Sequence, residues 1–128
     1  MKSTPLWNAL KVQDIAGEYQ ISGINQDAER SRYSGILKLS LDENNKIIAH
    51  WSINNDLQTM QGTGFYKDNI LVINFNYVGD DAIIYKGVAV YRTLDSNVLS
   101  GFWSEKYGNQ KFLGEEQCLR INTINNNN

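Results

Sequence analysis

The sequence predicts an all-β fold: an eight-stranded antiparallel up-and-down (meander) β-barrel preceded by a short N-terminal helix. Three observations carry this expectation. From Gly17 to Ile121, apolar and polar residues alternate with period two, as in strands with one face inside and one outside. The alternating runs are joined by short connections rich in Asn, Asp and Gly, which permit only antiparallel neighbours because a parallel crossover needs a dozen or more residues. A third signal is a recurring triplet in which a large apolar or aromatic residue stands two places before a glycine: Tyr33-Ser34-Gly35, Met60-Gln61-Gly62, Tyr85-Lys86-Gly87, Leu99-Ser100-Gly101 and Phe112-Leu113-Gly114. Glycine inside a strand permits the strong coiling that closes a sheet, or lets a large neighbour lie on bare backbone.

Taken in order, Ser3 or Thr4 before Pro5 reads as a helix N-cap with proline in the first turn. Trp7 and Leu10 fall on one face and Gly17 stops the segment, so residues 1–16 are expected to form a helical lid. Eight strands follow: Glu18–Ile24, Tyr33–Leu41, Lys46–Ile53, Leu57–Tyr66, Ile70–Tyr77, Ala82–Arg92, Val98–Ser104 and Phe112–Ile121. Of the connections, only Asn25–Arg32 is long enough to act as a flap. After Ile121 the chain ends in an Asn-rich stretch, residues 122–128, too polar to offset its ordering entropy by burial. Residues 17–121 are thus expected to be a single barrel domain.

Alternation also assigns faces. With each glycine pointing inward, the lumen receives Tyr19 and Ile21, Tyr33 and Leu37, Ala49 and Trp51, Met60 and Tyr66, Ile73 and Phe75, Tyr85 and Tyr91, and Leu99 and Trp103. On the last strand the same register places Phe112, Glu116, Cys118 and Arg120 inside; the opposite register would place Leu113, Leu119 and Ile121 there. Outward Val88, Val90, Val98 and Phe102 could form one apolar patch, which makes the expected state a monomer or a weak homodimer.

Composition narrows the function classes. Lys plus Arg number 12 against 14 for Asp plus Glu, a net charge of −2, and no basic block is present to meet a phosphate backbone, so no nucleic-acid partner is expected. No apolar run is long enough for a membrane span, and MKSTPLWNAL lacks the pattern of a signal peptide; the expected location is cytoplasmic, with export by another route left open. A single histidine, His50, and a single cysteine, Cys118, cannot build an imidazole or thiolate zinc site, and Asp42-Glu43 and Asp80-Asp81 lack the spacing of a calcium loop. Alternation points His50 outward and Cys118 inward, which argues against a catalytic dyad. No catalytic residue, metal or cofactor is nominated.

What remains is a lumen rich in aromatic residues. The candidate ligand-binding residues are Tyr33, Trp51, Tyr66, Tyr85, Tyr91 and Trp103, with Glu116 or Arg120 as the polar anchor, and the expected ligand is small and largely apolar or aromatic. Two alternatives stay open on the sequence: a filled barrel that acts through its surface as an interaction, inhibitor or effector module, and a cyclase- or isomerase-like barrel enzyme with Glu116 as acid or base.

The opening Gly17-Glu18-Tyr19-Gln20-Ile21-Ser22-Gly23, the meander, and the strand Leu99-Ser100-Gly101-Phe102-Trp103 resemble the calycin-type barrels: lipocalins, fatty-acid-binding proteins, avidins and the nitrobindin-like group. The resemblance covers roughly residues 17 to 121 and implies an up-and-down barrel with a lumen. It carries over no functional residue, because the lipocalin glycine-x-tryptophan is Gly17-Glu18-Tyr19 here and no late histidine stands where a nitrobindin-like haem site needs one.

Overall fold

The computed structural model describes residues 10–121. Eight strands, β1 (Gly17–Ile24), β2 (Arg32–Leu41), β3 (Ile47–Ile53), β4 (Gln58–Lys67), β5 (Ile70–Val78), β6 (Ile84–Asp95), β7 (Val98–Glu105) and β8 (Gly114–Arg120), follow one another in a closed meander barrel. Every neighbouring pair is antiparallel, and β8 closes on β1 with Ile21 opposite Cys118 and Gly23 opposite Glu116. Among the described residues the segment before β1 holds one 3-10 turn, Val12–Ile15; the stretch from Ser3 to Ala9, where the expected helix begins, and the tail after Ile121 lie outside the described residues.

The turns explain the strand ends. Asp68 and Asn69 both have positive φ, the two-residue geometry whose twist matches the strands it joins. Asn54, Asn55 and Asp56 likewise occupy the left-handed region between β3 and β4. The expected boundaries of two strands move for local reasons. Ala82 takes positive φ in a turn anchored by the Asp81 carboxylate, so β6 starts at Ile84, and it runs on to Asp95 through an irregularity between Thr93 and Asp95. Phe112 donates its amide to Asn109 in a turn, which shifts the start of β8 to Gly114.

The predicted inward face is the buried one. Tyr19, Leu37, Ala49, Trp51, Leu71, Ile73, Tyr91, Leu99 and Cys118 are nearly or fully inaccessible, while Leu113 and Leu119 are exposed, which settles the register of the last strand. Glycine in the strands serves both expected purposes. A Cβ on Gly64 or Gly101 would fall less than 3.0 Å from the Val72 or Val90 carbonyl oxygen of the adjacent strand, so backbone passes where a side chain would be. Gly114 and Gly23 instead lie beneath the rings of Trp103 and Tyr33, each the residue directly opposite in the ladder, and Gly87 does both, beneath the opposite Phe75 ring and against the Ser104 carbonyl.

The two ends of the barrel differ. Connections 42–46, 68–69 and 96–97 and the 3-10 turn share one end, where Ile15 is buried and accepts a hydrogen bond on its carbonyl from the Tyr19 hydroxyl at 2.7 Å. Arg120 seals it, donating to the carbonyls of Asp14, Ala16 and Ser96 and to the Tyr19 hydroxyl, with its guanidinium 4.9 Å from the Tyr19 ring centroid. Gly17, at φ 141°, gives that guanidinium room that a Cβ would fill. Connections 25–31, 54–57, 79–83 and 106–113 surround the other end.

Candidate functional site

From this second end a cavity of about 220 Å³ runs into the barrel, bounded by Trp51, Phe75, Trp103, Tyr33 and Tyr91, with Ala89 and Met60 leaving the space that larger residues would occupy. The rings pack edge to face: Trp51 on Phe75 at 6.0 Å, Phe75 on Trp103 at 6.2 Å, and Tyr33 on Trp103 at 6.4 Å between centroids. Their poses follow from the glycine pairing, since Phe75, Trp103 and Tyr33 each lie across a bare backbone position.

Glu116 lies at the cavity wall and is 3% exposed. Its Oε2 accepts the Tyr33 hydroxyl at 2.5 Å; its Oε1 accepts the Tyr91 hydroxyl at 2.6 Å and, at 3.4 Å, the Trp51 Nε1. The Cys118 thiol lies 3.8 Å from the same Oε1. The direction of this network is fixed by its indoles, which can only donate. Trp103 Nε1 donates to the Tyr33 hydroxyl oxygen at 2.9 Å, so the one proton of Tyr33 is left for Glu116. A chain of donors therefore terminates on this carboxylate.

Burial raises the Glu116 carboxyl above its ordinary value, opposed in turn by the hydrogen bonds from Tyr33, Tyr91, Trp51 and Cys118. Burial, together with the charge of Glu116, also pushes Tyr33, Tyr91 and Cys118 well above their usual ranges, so none of them offers a phenolate or thiolate near neutral pH. Nearer the mouth, Asn25, Asn54, Gln58, Tyr77 and Glu105 supply polar groups, and the Tyr77 hydroxyl donates to Glu105.

Of the residues nominated from the sequence, five line this cavity: Tyr33, Trp51, Tyr91, Trp103 and Glu116. Three do not. Tyr66 sits toward the sealed end, with its hydroxyl on Asn69; Tyr85 stacks on Tyr77 at the outer rim and donates to Asp81; Arg120 is the seal itself. Alternation indicates a face but not a height along the barrel axis. The rim residues Asn25, Asn54, Gln58 and Glu105 lie at strand ends or in connections, where the alternation that marks a lumen residue stops.

The outer surface separates the remaining candidates. His50 is exposed and Cys118 buried, so the two do not form a dyad. Among the described residues no three of His, Cys, Asp or Glu converge as a metal site, and no helix is long and apolar enough to cross a membrane. The connection 25–31 is tied across the mouth: Gln26 bonds to Ser104 and to the Asn109 carbonyl, and Arg30 pairs with Glu115 at 2.9 Å.

No family model matches the sequence, and no curated protein is similar to it. Solved structures match in fold. A redesigned β-barrel superposes with a TM-score of 0.67 at 10% identity, over 87% of this chain and 95% of that one. The redesigned barrel mFAP1, bound to DFHBI, gives 0.60 at 16% identity over 86% and 97%. A protein of unknown function of the DUF3598 family from Nostoc punctiforme PCC 73102 gives 0.54 at 15% identity over 88% of this chain but 49% of its own length, so the chain spans about half of that protein. At these identities the likeness defines a class by fold alone: closed, eight-stranded antiparallel β-barrels.

Proposed function

We propose that this protein is a calycin-like binding module that holds one small, largely apolar or aromatic molecule in the open end of its barrel. The observation that carries the reading is the cavity of about 220 Å³, walled by aromatic rings and bearing a buried carboxylate on which three O–H and N–H donors converge. Buried polar groups are costly, and a barrel filled only for stability has no need of one beside an open space. The size indicates a molecule of about one ring with a short substituent, since a dry cavity of about 150 Å³ already accepts benzene. Tyr33, Trp51, Tyr91 and Trp103 supply the walls and Glu116 the polar anchor. The redesigned barrel mFAP1, similar in fold, was solved bound to DFHBI, which supports a barrel of this architecture as a host for a small molecule.

Native mass spectrometry of freshly purified protein, set beside its denatured mass and a fluorescence screen with apolar dyes, tests the reading. The expected result is a small added mass lost on denaturation, or saturable quenching of Trp51 and Trp103 emission. A bare protein whose emission no dye alters would overturn it.

A further inference from the structure

The cavity has a pronounced charge asymmetry. Glu116 and Glu105 contribute two carboxylates at two depths, and among the described residues no lysine, arginine or histidine lines the space. The nearby Arg30 guanidinium is committed elsewhere, to the carbonyls of Asn25 and Leu113 and to the Glu115 carboxylate. Arg120 is held at the sealed end by backbone carbonyls. Glu116 is thus a buried acid whose partners within the fold are all neutral donors.

We infer, resting on the lumen-ligand reading above, that the ligand is a small organic cation: a protonated amine or amidine on a single-ring apolar body, with its cationic group directed at Glu116. Four features favour it. The ligand charge supplies the counter-ion that the wall lacks, and a buried carboxylate gains most from such a partner. Oε2 of Glu116 accepts only the Tyr33 hydroxyl, and a carboxylate oxygen has capacity for a second donor. The aromatic rings of Trp51, Trp103 and Tyr91 in the wall suit a cation and the apolar body beside it. Carboxylates at the mouth and in the depth attract a cation on entry and repel an anion of the same shape.

The test uses three probes of matched size on the full chain: 2-phenylethylamine, 2-phenylethanol and phenylacetate, each titrated at neutral pH by calorimetry and by tryptophan emission. The expected result is that the amine binds at least about tenfold tighter than the alcohol, with phenylacetate weakest of the three. In Glu116→Gln the amine-to-alcohol ratio is expected to fall toward one. If that variant does not fold, the ratio in the unaltered protein still decides. Binding of the alcohol or the acid as tightly as the amine overturns the cation assignment and leaves the lumen reading standing. Failure of all three probes, with no change in emission, overturns both.

Discussion

At the scale of single residues, Glu116 is where folding and function meet. The alternation of β8 turns it inward beside Cys118, and the hydroxyls of Tyr33 and Tyr91 reach it from β2 and β6. Its carboxyl is raised above 4.5, chiefly by burial. Below that value the group is protonated in both folded and unfolded chains, so its effect on stability is constant. As pH rises, the unfolded chain ionises first while the fold retains the proton, and stability falls until Glu116 ionises in the fold. The neighbours in contact, Tyr33, Tyr91, Trp51 and Cys118, do not titrate in that window, because the tyrosines and the thiol are raised and the indole does not ionise. Urea unfolding of the protein and of Glu116→Gln across pH 4 to 8 should therefore show the parent losing stability relative to the variant as pH rises. A difference that grows in the parent's favour would mean that the donors outweigh burial.

At the scale of elements, the glycine pattern was legible in the sequence but its purpose was not divisible there. Gly101 and Gly114 share the same triplet, yet Gly101 lies against the Val90 carbonyl and Gly114 beneath the Trp103 ring. The distinction depends on how the residue opposite in the ladder lies, Tyr91 at Gly101 and Trp103 at Gly114, and register across strands is not a local property of either strand. It has a consequence for mutation. Gly101→Ala drives a Cβ into the Val90 carbonyl, which cannot move without disturbing β6, and should cost about 1–3 kcal/mol in unfolding free energy. Gly114→Ala meets the Trp103 ring instead, so it should also displace that ring and change the near-ultraviolet circular dichroism of the cavity. Equal stability of Gly101→Ala and the parent would show that the strand has slack there.

The whole molecule is a barrel sealed at one end and open at the other, and this polarity is what the sequence hid. Alternation and turn chemistry were enough for strand number, order and inward face, because each is set by local pattern. The open end is set by where the chain before β1 crosses the barrel and by Arg120 reaching from β8 to its carbonyls, contacts between residues about a hundred positions apart. For that reason Tyr66 and Arg120 share a face with the cavity residues while standing at the other end. On the outside, the ladder aligns Phe65, Val72, Val90 and Phe102 across β4 to β7, joining part of the expected apolar patch into one row.

Whether the open end receives a ligand against Glu116 can be decided by a two-dimensional NMR titration of the labelled full chain with 2-phenylethylamine, 2-phenylethanol and phenylacetate. The expected result is saturable shifts of the Trp51 and Trp103 indole N–H signals and of the Tyr33 and Glu116 amides, while Tyr66, Arg120 and outward-facing His50 stay fixed. Shifts confined to the outer face or the sealed end, or none with any of the three, would contradict it.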